Sequence, residues 1–160
     1  MKARDDMLFP FEEYERRIRE LRERMEERLL DAVVITAPGN LMYLTDYQTT
    51  GYSFFQALVV PLDGEPFTIT RAMEESNVIE RTWVELTRTY TDTGDAIQLL
   101  TESLREFGLE GKAIGYERNS YFFPAYQQDR MADAFRDGRL QDCYGIVEEG
   151  RVTKSPLEIE

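Results

Sequence analysis

The side chains able to do chemistry in this chain are carboxylates, arginines and aromatics: 31 Asp and Glu, 19 Lys and Arg, nine Tyr and nine Phe. Histidine is missing altogether, and Cys143 is the only cysteine. Ser–His–Asp triads, His-ligated zinc or iron and imidazole proton shuttles therefore have no place within these residues. A single thiol makes neither an internal disulfide nor a cysteine-cluster metal site, and Cys143 has no basic neighbour in sequence to activate it. The carboxylates suggest two-metal phosphodiester chemistry, which needs acidic residues on core strands. The first apolar run, Ala32-Val33-Val34-Ile35-Thr36, carries none, and this disfavours a nuclease. The net charge of -12 repels polyphosphate, so general nucleic-acid binding is disfavoured too. No Gly-x-Gly-x-x-Gly or P-loop pattern occurs. No catalytic residue and no metal ligand set is expected within the chain.

The elements that must position any site are legible in outline. Residues 11–30 read as an amphipathic helix, with Phe11, Tyr14, Ile18, Leu21, Met25 and Leu29 on one face. Its other face carries acids four residues ahead of bases, Glu12–Arg16, Glu13–Arg17, Glu15–Arg19 and Glu20–Arg24, which reads as a solvated, self-paired surface. Residues 32–36 are a buried strand and 41–45 a short helical turn. A strand is expected over 52–60. The turn Asp63-Gly64 joins it in a hairpin to Phe67-Thr68-Ile69-Thr70. Further on, the spacing predicts a helix over 72–81, a strand over 84–90 and a helix from 96 to 107, capped from Asp92–Asp95 and ended by Gly108. A strand over 112–116, a helix over 124–135 and a strand over 140–144 complete the pattern. Alternating strands and helices with one early hairpin predict an α/β fold, a three-layer sandwich of one mixed β-sheet with helices on both faces.

The final residues carry a helix start. Ser155 can cap, Pro156 suits the first position, and Glu158 completes a capping box. The sequence ends at Glu160, one turn into that helix, so residues 1–150 are expected to be one domain. Residues 151–160 are then a linker and the start of a helix belonging to a further domain. The 42% hydrophobic composition is that of a globular chain. No signal peptide or spanning segment is evident, and with the lone thiol this predicts a cytoplasmic protein without membrane association.

Four segments carry a resemblance. Arg151-Val152-Thr153-Lys154-Ser155-Pro156-Leu157-Glu158-Ile159 resembles the Arg-x-x-Lys-Ser-x-x-Glu-Ile linker of the creatinase/prolidase/aminopeptidase P family. Asn40-Leu41-Met42-Tyr43-Leu44-Thr45 is similar to its Asn-x-x-Tyr-Leu-Thr-Gly segment, with Asp46 in place of Gly. The hairpin Val59 to Pro66 followed by Ile69-Thr70-Arg71, and the strand Ile114-Gly115-Tyr116-Glu117, are the third and fourth. They come in the family's order and cover nearly the whole chain. Arg71-Ala72-Met73-Glu74 is similar to members that cleave non-peptide C–N bonds, such as creatinase or ectoine hydrolase.

The resemblance implies a two-domain hydrolase of which this is the non-catalytic N-terminal domain, with a sheet similar to the ribonuclease H fold without its acids. The parent would be a Xaa-Pro dipeptidase-like enzyme acting on a small peptide. Alternatives are a creatinase- or ectoine-hydrolase-like enzyme acting on a small amide, and a free-standing binding or scaffold domain. A C-terminal pita-bread domain would hold two divalent metal ions (Mn, Co or Zn), although some relatives work without metal. The implied partners are that catalytic domain and a second subunit in a homodimer, with this domain at the rim of the active site. The matching rim residues are Tyr52, Phe54, Phe55 and Arg71, although the Arg that some members place beside the first aromatic is missing here. One of Phe54 and Phe55 should point inward to the core and the other outward to substrate. Arg71 would meet a substrate carboxylate or a neighbouring acid. Asn40 and Tyr43 would position the 46–51 loop, with a turn or cap role as the alternative for Asn40. Tyr121-Phe122-Phe123 and Tyr126 form an aromatic cluster suited to an interface or to core packing.

Overall fold

A computed structural model describes residues 2–159. The elements run α1 (Phe11–Glu27), β1 (Ala32–Ile35), α2 (Pro38–Thr45), β2 (Ala57–Pro61), β3 (Phe67–Arg71), a 3-10 turn (Ala72–Glu74) and α3 (Glu75–Arg81). Then come β4 (Leu86–Tyr90), α4 (Ala96–Glu106), β5 (Ala113–Tyr116), α5 (Ala125–Ala134), β6 (Arg139–Asp142), α6 (Ile146–Val152) and α7 (Pro156–Ile159). The strands form one mixed sheet in the order β4-β3-β2-β1-β5-β6. Only β2 runs against its neighbours; β3–β4, β1–β5 and β5–β6 are parallel pairs.

Strand alternation divides the core in two. Val33, Ile35, Leu58 and Val60 face α1, α2 and α6, with Trp83 buried among them. Ala32, Val34, Val59, Phe67 and Ile69 face α4 and α5. Both faces of β1 and β2 are covered, which is why these strands read as unbroken apolar runs rather than alternating ones. The expected three-layer sandwich is therefore present.

Helix ends follow local chemistry. Asp95 accepts from the backbone N–H of Ile97 and Gln98 at 3.0 Å each, which selects it among the candidate caps of α4. It also pairs with Arg130 of α5. Asp95→Ala should lower stability by about 1 kcal/mol and the melting temperature by about 2–4 °C, while Asp95→Asn keeps most of both. A thermal melt of the two variants checks this. The capping box at the last helix also forms: Ser155 N–H donates to Glu158 Oε2 at 2.9 Å, and Glu158 N–H donates to Ser155 Oγ at 3.3 Å.

Four expectations change. The strand over 52–60 starts only at Ala57, because Phe54 N–H closes a turn on Gly51 O at 3.0 Å and turns the chain before it joins the sheet. Helix α6 is absent from the sequence reading; it is short, contains Gly150 and buries only Ile146 and Val147, so its periodicity is faint. It runs through residue 150, the expected end of the domain. Helix α1 stops at Glu27 because Leu29 takes a positive φ of 54°, and Leu29 is exposed rather than on the apolar face. Glu13 and Arg17, expected on the solvated face, are buried.

Candidate functional site

Because β2 alone is reversed, the C-terminal ends of the other five strands and the start of β2 lie along one edge of the sheet. In open α/β sheets this edge is where ligands are received. Of the segments that carried the resemblance, Asn40 to Thr45, the Ile69-Thr70-Arg71 arm, Ile114 to Glu117 and the final linker lie at this edge or on the helices beside it, whereas the hairpin tip, Pro61 to Pro66, lies at the opposite edge.

At the centre is Glu117, the residue after β5, which is 1% exposed. Its Oε2 accepts from Thr36 N–H at 2.6 Å, Ala37 N–H at 2.8 Å and Thr36 Oγ1–H at 3.0 Å. Its Oε1 accepts from Asn40 Nδ2 at 2.6 Å. A carboxylate thus caps the start of α2, where Ala37 has no side-chain oxygen of its own to do so. Asn40 extends the network. Its Nδ2 also donates to Glu148 at 2.9 Å, and its Oδ1 accepts from Arg151 Nη1 at 2.7 Å. Tyr43 donates its hydroxyl to Gly150 O at 3.1 Å. The side-chain bonds of Asn40 and Tyr43 therefore run to Glu117 and α6 and not to the 46–51 loop. Asn40 is an internal bridge rather than a turn residue.

The loop is held by Glu74 instead. Its Oε2 accepts from Thr49 Oγ1 at 2.6 Å, Tyr47 OH at 3.1 Å and Asn77 Nδ2 at 3.1 Å. Burial works to raise the Glu74 carboxyl. The bonds from Thr49, Asn77 and Tyr47 and the charge of Arg71 outweigh it and hold the group below its ordinary value. Spacing gave no signal for this role, since Glu74 lies 25 residues from Thr49.

The rim candidates lie together. Tyr52 is 51% exposed and Phe54 46%, while Phe55 is 7% exposed and packs against Phe123 with ring centroids 5.4 Å apart. Phe55 thus faces the core and Phe54 the surface, and both precede the strand. Tyr52 meets Phe122 edge-on at 6.1 Å, and Tyr121 meets the same ring at 5.5 Å. The two aromatic clusters of the sequence thus line one groove of about 390 Å³. Arg71 pairs with Asp92 through two bonds of 2.5 and 2.7 Å, and its guanidinium lies 4.0 Å from the centre of the Phe54 ring. It is thus engaged with a neighbouring acid. Tyr90, pushed up to about 12 by burial, donates to Phe55 O at 2.6 Å and fixes the wall of the groove.

Trp83, completely buried, donates from Nε1 to Leu44 O at 2.9 Å. Cys143 is buried, and burial pushes its thiol up, away from reactivity. Among the described residues no group of three or more His, Cys, Asp or Glu could hold a metal ion. The metal pair that the resemblance implies belongs to a C-terminal domain and not to these residues. Among the same residues no helix is long and apolar enough to cross a membrane.

Comparison with known proteins places these features. A family model described as the Creatinase/Prolidase N-terminal domain matches residues 17–153. The chain is similar to the ectoine hydrolase of Halomonas elongata, 29% identical over 95% of this chain and 40% of that protein. Its backbone resembles the crystal structure of dipeptidase PepE from Mycobacterium ulcerans, with a TM-score of 0.75 and 23% identity over 94% of this chain and 40% of that one. It also resembles the N-terminal domain of the cytoplasmic peptidase PepQ from Mycobacterium tuberculosis, with a TM-score of 0.68 and 20% identity over 84% of this chain and 97% of that one. The chain thus spans about two fifths of the length of the curated relative.

Proposed function

The chain belongs to the creatinase/prolidase N-terminal domain family, and from that footing we propose that it is the non-catalytic N-terminal domain of a hydrolase that cleaves the C–N bond of a Xaa-Pro dipeptide. Residues 1–150 would form the domain and 151–160 the link to a catalytic domain, which would hold two divalent metal ions. The aromatic groove would form part of the rim of an active site, in a homodimer located in the cytoplasm. The observation that carries this reading is the placement of Tyr52, Phe54, Tyr121 and Phe122 in one exposed groove at the receiving edge of the sheet. An aromatic wall of this kind contributes apolar contact and shape without any catalytic group. Cytoplasmic location is supported by the name of the Mycobacterium tuberculosis relative, a cytoplasmic peptidase.

A second reading is favoured by the identity of 29% to ectoine hydrolase: the parent opens the C–N bond of a small cyclic amidine such as ectoine. One panel separates the two. The product of the whole reading frame is given Xaa-Pro dipeptides, ectoine and creatine, and the 160-residue chain alone is given the same. Xaa-Pro cleavage by the former and none by the latter is the expected result. In the active protein, Tyr52→Ala and Phe54→Ala should raise KM about three- to tenfold with kcat nearly unchanged, the pattern of lost ground-state contacts. Cleavage of ectoine alone would establish the second reading. A stop codon directly after Glu160, or activity in the short chain, would sink both.

A further inference from the structure

The aromatic groove has a charge environment that selects among ligands. Tyr121 is 91% exposed and Tyr52 51%. Both stand nearly perpendicular to the ring of Phe122, at 80° and 87°. Three adjoining rings left at the surface form the kind of apolar patch that marks a binding site. No charged side chain lines the groove. The bases nearest to it are neutralised: Arg71 by Asp92, and Arg130 by Asp95. Beyond Tyr121 the next surface hollow carries one charge of each sign, Arg118 and Asp129.

With the neighbouring charges balanced, the field over the groove is that of the whole chain, -12. It attracts cations, and it repels anions and a second copy of this chain. A strongly hydrated cation would surrender its water here and find no carboxylate in return. A quaternary ammonium holds its water weakly and has no N–H to satisfy. The electron-rich face of an aromatic ring is a sufficient partner for it. Two rings of the same aromatic surface already take a delocalised cation from within the chain. The Arg71 guanidinium lies 4.0 Å from the centre of the Phe54 ring, and that of Arg130 lies 5.8 Å from the centre of Tyr126. The groove of about 390 Å³ is of small-molecule size, which favours a free compound over a length of polypeptide.

We infer that Tyr52, Tyr121 and Phe122 bind a small, net-cationic quaternary ammonium compound of the choline type, its trimethylammonium head held against the three rings without a hydrogen bond or an ion pair. The inference uses the same groove as the hydrolase reading but involves no cleavage, so a failed titration leaves that reading standing, and an inactive parent enzyme leaves the binding standing.

The test is titration of the 160-residue chain at constant ionic strength, followed by backbone amide NMR. The probes are tetramethylammonium, choline, glycine betaine, ammonium and the carbon isostere of choline, in which an uncharged tert-butyl group replaces trimethylammonium. Tetramethylammonium and choline should saturate with Kd near about 20 mM, the range of a few exposed cation–π contacts, and the shifts should centre on residues 52–55 and 121–127. The isostere and ammonium should each bind at least about threefold more weakly, and glycine betaine, whose carboxylate cancels its charge, more weakly than choline. Tyr121→Ala should weaken choline binding about two- to fivefold, one exposed ring contact being worth that factor, while Tyr121→Phe keeps it. Tyr144→Ala, which removes a 51% exposed ring outside the groove, should leave it unchanged. Absence of saturable binding by both cations, equal binding of the isostere, or unaltered binding in a Tyr52→Ala, Tyr121→Ala double variant would each overturn the assignment. Shifts spread evenly over the acidic surface would overturn it too, since they mark attraction to the net charge alone.

Discussion

Glu117→Ala is expected to destabilise the domain by about 4 kcal/mol, because it strands buried donors rather than merely removing one bond. The N–H groups of Thr36 and Ala37 and the amide of Asn40 all lose their acceptor at once. At about 2–4 °C per kcal/mol for a chain of this size, the melting temperature should fall by about 10 °C. Glu117→Gln keeps one acceptor oxygen but turns an NH2 group toward other donors, so about half of the loss should remain. Urea unfolding of the two variants measures this directly. A loss below about 1 kcal/mol for the Ala variant would show that water replaces the carboxylate and that the network is ornamental.

Arg17→Met should destabilise by about 3–5 kcal/mol, the range for removing one partner from a buried charged pair. The lost interactions are the bonds to Glu13 and to Tyr43 O and the stacking of the guanidinium among three rings. Arg17→Lys should recover little of this, since an ammonium has neither the planar fork nor the aromatic fit. The effect should depend on pH. The hydrogen bond from Arg16, with the charges of Arg16 and Arg17, holds the Glu13 carboxyl down at about 2, against an ordinary 4.5 and against its burial. A carboxyl depressed in the folded state contributes stability that is fully present above the ordinary value and is lost as pH falls through the folded one. The difference between wild type and Arg17→Met should therefore be constant above pH 5 and shrink from 4.5 toward 2. Denaturant titrations across that window read it, and a difference that grows in acid would refute the pairing.

The layers of the fold were legible because each strand and each long helix carries its own period. The capping box at Ser155 and the hairpin at Gly64 were legible for the same reason: both are local. The strand order was not, since nothing local says that β1 pairs with β5. The burial of Arg17 was hidden by a true observation, because Glu13 and Arg17 do form the predicted pair four residues apart, and a pair of this kind is usually solvated. What buries it is Phe9 and Tyr43, brought in from outside the helix. Glu117 left a faint trace, a lone carboxylate directly after an apolar strand. Its partners Thr36 and Asn40 lie about 80 residues away, so its role could not be read from spacing.

The reversed β2 has a consequence for the order of events during synthesis. β1, β2 and β3 lie within 40 residues of chain and can pair as soon as they are made. The opposite flank of β1 waits for β5, about 80 residues later. Until then Ala32-Val33-Val34-Ile35 presents an unpaired, uncharged edge with strong β-propensity, the kind of segment that associates between chains. The nascent chain therefore passes through a sticky half-sheet, and the ribosome exposes it before the strand that shields it exists. Lesions in β5 or at Gly115, where an added Cβ would lie 2.9 Å from Leu30 and 3.0 Å from Cys143, should show first as insoluble product.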